Sequence, residues 1–147
     1  MNKQETLSAI EDARDAHVKQ MQKIESLLEG KELEDPTPVA KTKCEFGQWL
    51  YGDVQHVKKV LGVQFYENLD VLHEAWHIEY SKIYDIFFAQ SKKGFFNNFF
   101  ANKKPEILQI EKAKLYYKEL QKTTQDLLRA LEVCERRITA LGESKFH

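Results

Sequence analysis

The sequence predicts an all-α protein, a bundle of the four-helix type with one long C-terminal helix. Apolar residues recur at spacings of three and four through three long stretches, as one face of a helix requires. Strand signals are absent, and so are internal repeats. The stretches Asp35-Pro36-Thr37-Pro38 and Ser91 to Pro105 interrupt the helical pattern and set the chain's turns.

At 147 residues the chain reads as one domain. Such a length buries roughly 70% of the unfolded surface and needs no disulfide to fold. Charged residues are 31% and apolar residues 42%, the balance of a soluble helical protein. The formal net charge is −1 with both signs interspersed, so no basic field exists for nucleic acid or anionic lipid. Met1 to Thr6 opens directly into a charged helical pattern, without an apolar signal segment. No run of about 18 apolar residues follows, so no membrane span is expected and a cytoplasmic location is the default. Two cysteines 90 positions apart read as thiols or metal ligands rather than a disulfide.

The first helix is expected over Thr6–Glu29. Leu7, Ile10, Arg14, His17, Met21, Ile24 and Leu28 form its stripe, Thr6 or Ser8 could cap it, and Gly30 could stop it. Lys31 to Lys43 is a connector, since its prolines lack amide donors and restrict their predecessors. A short helix then starts at Thr42 or Lys43, runs through Cys44 to about Tyr51 and ends at Gly52. Gly47 sits inside it, where glycine costs about 0.5–1 kcal/mol relative to alanine. A close approach to its backbone would justify that cost. Asp53 to Gly62 is a polar helix or turn containing His56.

Val63 to about Gln90 is the second long helix. Its apolar face is wide: Leu69, Leu72, Trp76, Ile83 and Phe87 form one row, and Tyr66, His73, His77, Tyr80 and Tyr84 the next. Ser91 to Pro105 contains the paired aromatics Phe95-Phe96 and Phe99-Phe100, expected to plug the bundle's open end or to make a contact. The third long helix is expected over Glu106–Gly142. Ile110, Tyr117, Thr124, Leu131 and Ile138 are seven apart, and Ala113, Leu120, Leu127, Cys134 and Leu141 follow each by three. Five such pairs are a coiled-coil signal, and they predict a homodimer through residues 106–142.

Four side chains in the first two-thirds of the chain suit a metal. His73 and His77 are at i and i+4, side by side on one helix face and able to chelate one ion. His17 lies on the apolar stripe of the first helix, where its ring nitrogens need partners. Cys44, in a first helical turn, feels the positive end of the dipole, which favours the thiolate a metal requires. Three imidazoles and one thiolate suit zinc in number and softness. Each residue alone also has a plainer reading: a core histidine on a carbonyl or water, two interfacial histidines, a cysteine filling core.

His17, then Cys44-x-Phe46-Gly47-x-Trp49-Leu50-Tyr51-Gly52, then His73-x-x-x-His77, resembles the chemoreceptor zinc-binding domain family. The resemblance covers roughly residues 10 to 90. It implies a small helical bundle holding one Zn2+ by His17, Cys44, His73 and His77. It also implies a regulatory rather than an enzymatic role: sensing zinc or oxidants such as hypochlorous acid through the metal-bound Cys44, for a chemoreceptor or cyclase partner. Two features depart from the family's pattern. No output domain is recognised, and Leu72 stands where a family member often has Pro. Gly47 and Gly52 bracket the short helix and are expected to act as hinges if Cys44 leaves the metal.

Competing readings share these residues. His73-Glu74-x-x-His77 matches the zinc-peptidase pattern, with Glu74 as general base. However, Glu74 is rotated about 100° from His73 on a helix, and a fourth ligand would close the site. A hemerythrin-like di-iron oxygen-binding protein would need more histidines and bridging carboxylates, and only His56 and His147 are spare. The metal-free alternative is a helical interaction protein.

Overall fold

A computed structural model describes residues 1–33, 35–88 and 105–146. In these segments the chain forms α1 (Lys3–Leu28), α2 (Glu45–Leu50), α3 (Val54–Leu61), α4 (Val63–Phe87) and α5 (Ile107–Ala140), then a 3-10 turn over Glu143–Phe146. No strand occurs among the described residues. The aromatic turn expected over residues 91–105 lies, apart from Pro105, outside them.

α1 begins earlier than Thr6 because Asn2 and Glu5 form a capping box. The Glu5 amide donates to Asn2 Oδ1 at 2.8 Å, and the Asn2 amide donates to Glu5 Oε2 at 3.0 Å. Thr6 is instead buried in the first turn, its hydroxyl donating to the Asn2 carbonyl at 2.9 Å. At the other end Gly30 has φ +89, and its neighbour Lys31 donates its amide to the Ser26 carbonyl. Glycine takes that left-handed conformation without steric cost. Ile10, Ala13, His17, Met21, Ile24 and Leu27 form the buried face. Arg14, expected on that stripe, lies beside it and pairs with Glu135 of α5.

α5 spans 34 residues, about 51 Å at 1.5 Å per residue. It packs most extensively on α4 and then on α1. Both run antiparallel to it. Lys3, at the start of α1, donates its ammonium to the carbonyls of Thr139 and Leu141 at the end of α5. Trp76 and Phe65 of α4 meet Thr124 and Arg137 of α5, in reversed order along the chain. Much of the heptad stripe is used here: Ala113, Leu120, Thr124, Leu127, Leu131, Cys134 and Ile138 are buried within one chain, and Ile110, Tyr117 and Leu141 are half-buried. The spacing read as a seam for a second copy thus fits the chain's own three-helix contact, because both demand apolar residues on one narrow face. The apolar residues of α5 left in the open are Ile107, Leu108, Leu115 and Val133.

Thr124, the polar residue within that stripe, is fully used. Its hydroxyl accepts from the Trp76 indole at 2.8 Å and reaches the Leu120 carbonyl at 2.6 Å. A buried hydroxyl left unbonded would cost about 1–3 kcal/mol. α2 buries Phe46, Gly47 and Leu50 and packs on α1, whereas α3 buries Val57, Val60 and Leu61 and packs on α4 and α5. Gly62, with φ +92, makes the corner between α3 and α4.

Candidate metal centre

Three elements deliver the four candidate ligands. α1 contributes His17, the N-cap of α2 contributes Cys44, and successive turns of α4 contribute His73 and His77. The three histidines are buried and place one ring nitrogen each within 4.8 Å of the others. Cys44 adjoins from one side, its Sγ 3.3 Å from His73 Nε2, although the thiol is not part of that 4.8 Å set. An edge between sulfur and nitrogen in a zinc tetrahedron is about 3.5 Å, given Zn–S near 2.3 Å and Zn–N near 2.0 Å.

The outer ring nitrogens are all engaged by oxygen. His17 Nδ1 lies 2.7 Å from the Ala13 carbonyl, one turn back on its own helix. His77 Nδ1 lies 2.9 Å from the Val39 carbonyl in the connector. Both contacts require the proton on Nδ1, since a carbonyl only accepts, and so Nε2 carries the lone pair. His73 Nδ1 lies 3.3 Å from the Tyr51 hydroxyl, which donates to Asp70 Oδ1 at 2.6 Å. Buried and without any hydrogen-bond partner, His77 Nε2 is an orphaned acceptor. A cation between these nitrogens would satisfy it, and backbone or carboxylate-linked partners on the far ring nitrogen are what histidine ligands require. The residues fit a zinc ion.

Electrostatics agree with that fit. Burial lowers the His17 imidazole from 6.5 to about 4, against its Ala13 bond and with help from His77. His73 is driven to about 2 by burial, then by its two histidine neighbours and Lys41. His77 is lowered too, chiefly by burial. All three are neutral at pH 7, the form that binds metal. Cys44 departs from expectation. Burial raises its pKa above 9.0 and outweighs the Gly47 and Phe46 amides that pull it down. The helix N-terminus alone therefore does not make the thiolate.

Gly47 has the close neighbour its position demanded. A Cβ there would stand 1.6 Å from the Lys41 carbonyl oxygen. The same carbonyl lies 3.4 Å from Cys44 Sγ, and the Gly47 amide donates to that sulfur at 3.3 Å. Gly47 thus locks α2 against the connector rather than serving as a hinge. Gly52 is also crowded, with the Gln48 carbonyl 2.7 Å from its virtual Cβ.

Several partners of the site were not singled out in the sequence. Val39, Lys41 and Ala13 act through backbone carbonyls, which side-chain identity does not reveal. Asp70 and Tyr51 had a signal: Asp70 precedes His73 by three on one helix face, and Tyr51 lies inside the quoted motif. Burial opposes the charge on Asp70, but the Tyr51 hydroxyl and Lys41 ammonium hold its carboxyl below the usual range. Trp76 stands against the site with its ring edge-on to His17, centroids 5.0 Å apart. Glu74 faces away, 55% exposed and 3.7 Å from Lys41 Nζ. Among the described residues no carboxylate joins the three histidines, and His56 lies on α3 beside Asp53.

The centre opens to the surface through a cavity of about 190 Å³ between α1 and the connector. Gln20, Thr37, Pro38 and Lys43 line it together with His17, Cys44, Trp76 and His77.

A buried imidazole–thiol cluster in a helical bundle defines a small metal-binding domain. Residues 17–84 match the family model described as the chemoreceptor zinc-binding domain, and the chain carries a domain of that family in this segment. The match starts at His17, spans all four candidate ligands and stops before α5. No curated protein and no solved structure gives a match to the chain. Among the described residues no helix is long and apolar enough to cross a membrane.

Proposed function

We propose that the chain is a zinc-binding regulatory module in which His17, Cys44, His73 and His77 hold one Zn2+ and Cys44 is the oxidant-sensitive ligand. One observation carries the reading: three Nδ1 atoms are tied to oxygen partners, the three rings hold one nitrogen each within 4.8 Å of the others, and the Cys44 thiol stands 3.3 Å from His73 Nε2. Bound there, zinc supplies the positive charge that keeps the Cys44 sulfur deprotonated at neutral pH, against its burial.

The chain's own residues shape the response. The cavity lined by Gln20, Thr37, Lys43 and Cys44 offers peroxide or hypochlorite a route to the sulfur, and the Phe46 and Trp76 rings pack edge-on against His17. A two-electron oxidant converts the thiolate to sulfenic acid, the oxidant itself being reduced to water or chloride, and the product is a weaker ligand. Release of Cys44 frees the α2 N-terminus. The bond from Trp76 to Thr124 then offers the link from the site to α5, the surface from which a signalling partner would read the state.

The test has two parts. Purified protein is expected to contain one zinc per chain, and stoichiometric hypochlorite or peroxide is expected to release it as Cys44 is modified. Zinc retained with Cys44 reduced, while other residues oxidise, would leave a structural site without a sensing role.

A further inference from the structure

Tyr51 and Asp70 have no place in the ligand set, yet they form a chain of polar contacts that ends on it. Asp70 Oδ1 accepts from the Tyr51 hydroxyl at 2.6 Å and from Lys41 Nζ at 3.0 Å. With its proton committed to Asp70, the Tyr51 oxygen is available only as an acceptor, and His73 Nδ1 lies 3.3 Å from it. The Tyr51 ring lies nearly parallel to the His73 imidazole, 26° between planes, so the contact is fixed by packing as well as polarity. Lys41 Nζ caps the opposite side, 5.0 Å from the Tyr51 ring centroid.

We infer that Tyr51, held by Asp70 and Lys41, is a positioning residue for the metal: it fixes the proton of His73 on Nδ1 and aims His73 Nε2 at the ion. His73 needs such a device more than its neighbours do. His17 and His77 each have a backbone carbonyl on Nδ1, which accepts whatever the side chains do. His73 has only a hydroxyl, which could donate or accept, and the Asp70 carboxylate decides which. Without that decision His73 could present an N–H to the ion, and a protonated nitrogen does not ligate. Lys41 connects the same chain to the other ligand, because its backbone carbonyl sits 3.4 Å from Cys44 Sγ.

The inference rests on the ligand assignment proposed above, and the experiment separates the two. Zinc affinity is measured by competition with a chromophoric chelator for the wild type, Tyr51→Phe and Asp70→Asn. Histidine nitrogen NMR of the zinc-loaded proteins reports the His73 tautomer and the protection of its Nδ1 proton. Tyr51→Phe is expected to weaken zinc binding by about 10- to 100-fold, the range for outer partners of histidine ligands. Its His73 Nδ1 proton is expected to exchange faster. Asp70→Asn is expected to lose less, since an amide oxygen still accepts from the hydroxyl. It also serves if Tyr51→Phe fails to fold. Unchanged affinity and unchanged protection in the folded variants would overturn the inference while leaving the zinc site standing. A wild type that binds no zinc would overturn the ligand assignment itself. Lower stability of the metal-free variant with an unaltered His73 signal would show a packing role only, and also refutes it.

Discussion

Gly47→Ala sets two ordinary expectations against each other. Alanine in place of glycine inside a helix gains about 0.5–1 kcal/mol from helix propensity. In this chain the new methyl group would stand 1.6 Å from the Lys41 carbonyl oxygen, where ordinary contact begins at 3.4 Å. Helix and connector must therefore part by about 2 Å, and the obstacle is backbone rather than a flexible side chain. Overpacking of a close-packed contact costs about 1–3 kcal/mol and sometimes more. With the upper end of that cost for a clash against backbone, the net expectation is a loss of about 2 kcal/mol in the metal-free protein. The affected turn also holds Cys44, so each 1.4 kcal/mol of strain concentrated in the loaded state weakens zinc binding about tenfold. Urea unfolding of the metal-free variant and chelator competition of the loaded one measure the two effects separately. A variant as stable as the wild type, with unchanged zinc affinity, would refute the claim that Gly47 locks α2 onto the connector.

The remaining predictions concern charge and the long helix. The folded-state pKa of His17 is about 4 against 6.5 unfolded, so below pH 6.5 the unfolded chain binds more protons than the folded one. Metal-free protein is thus expected to lose about 3 kcal/mol from His17 alone between pH 6.5 and pH 4, with His73 adding to the loss. Urea midpoints that do not change with pH across this window would contradict the burial of neutral imidazoles. Leu127→Asp places a carboxylate at a position with 0% exposure inside its own chain, and it is expected to cost more than about 4 kcal/mol and to lose helix by circular dichroism. A folded variant that changes only its mass in solution would show instead that the α5 stripe joins two copies. Glu74→Gln changes a side chain that is 55% exposed and is expected to keep full zinc content. A loss of zinc would show that Glu74 reaches the site.

The long helices were legible because their burial is periodic. The same periodicity is ambiguous in one respect. A narrow stripe on α5 serves a partner helix of another chain or two helices of its own chain equally well, and only the positions of α1 and α4 decide between them. The grouping of His17, Cys44, His73 and His77 was legible because metal chemistry restricts residue type and spacing. What supports them was mostly hidden. The Ala13, Val39 and Lys41 carbonyls carry no side-chain signature, and Tyr51 meets His73 only once α2 has folded across α4. Local structure supplies only part of what sets the Cys44 proton. The amide of Gly47 does point at the sulfur, but burial outweighs it, and burial is a tertiary property.

Cobalt(II) substitution tests the central claim most directly, because its absorption reports geometry and ligand type together. One Co2+ per chain at His17, Cys44, His73 and His77 predicts the intense visible bands of a tetrahedral ion and a sulfur-to-cobalt charge-transfer band in the near ultraviolet. Cys44→Ser is expected to abolish the charge-transfer band, and zinc is expected to displace the cobalt and bleach both features. Weak bands of an octahedral ion, or a charge-transfer band that survives in Cys44→Ser, would contradict the assignment of three imidazoles and one thiolate.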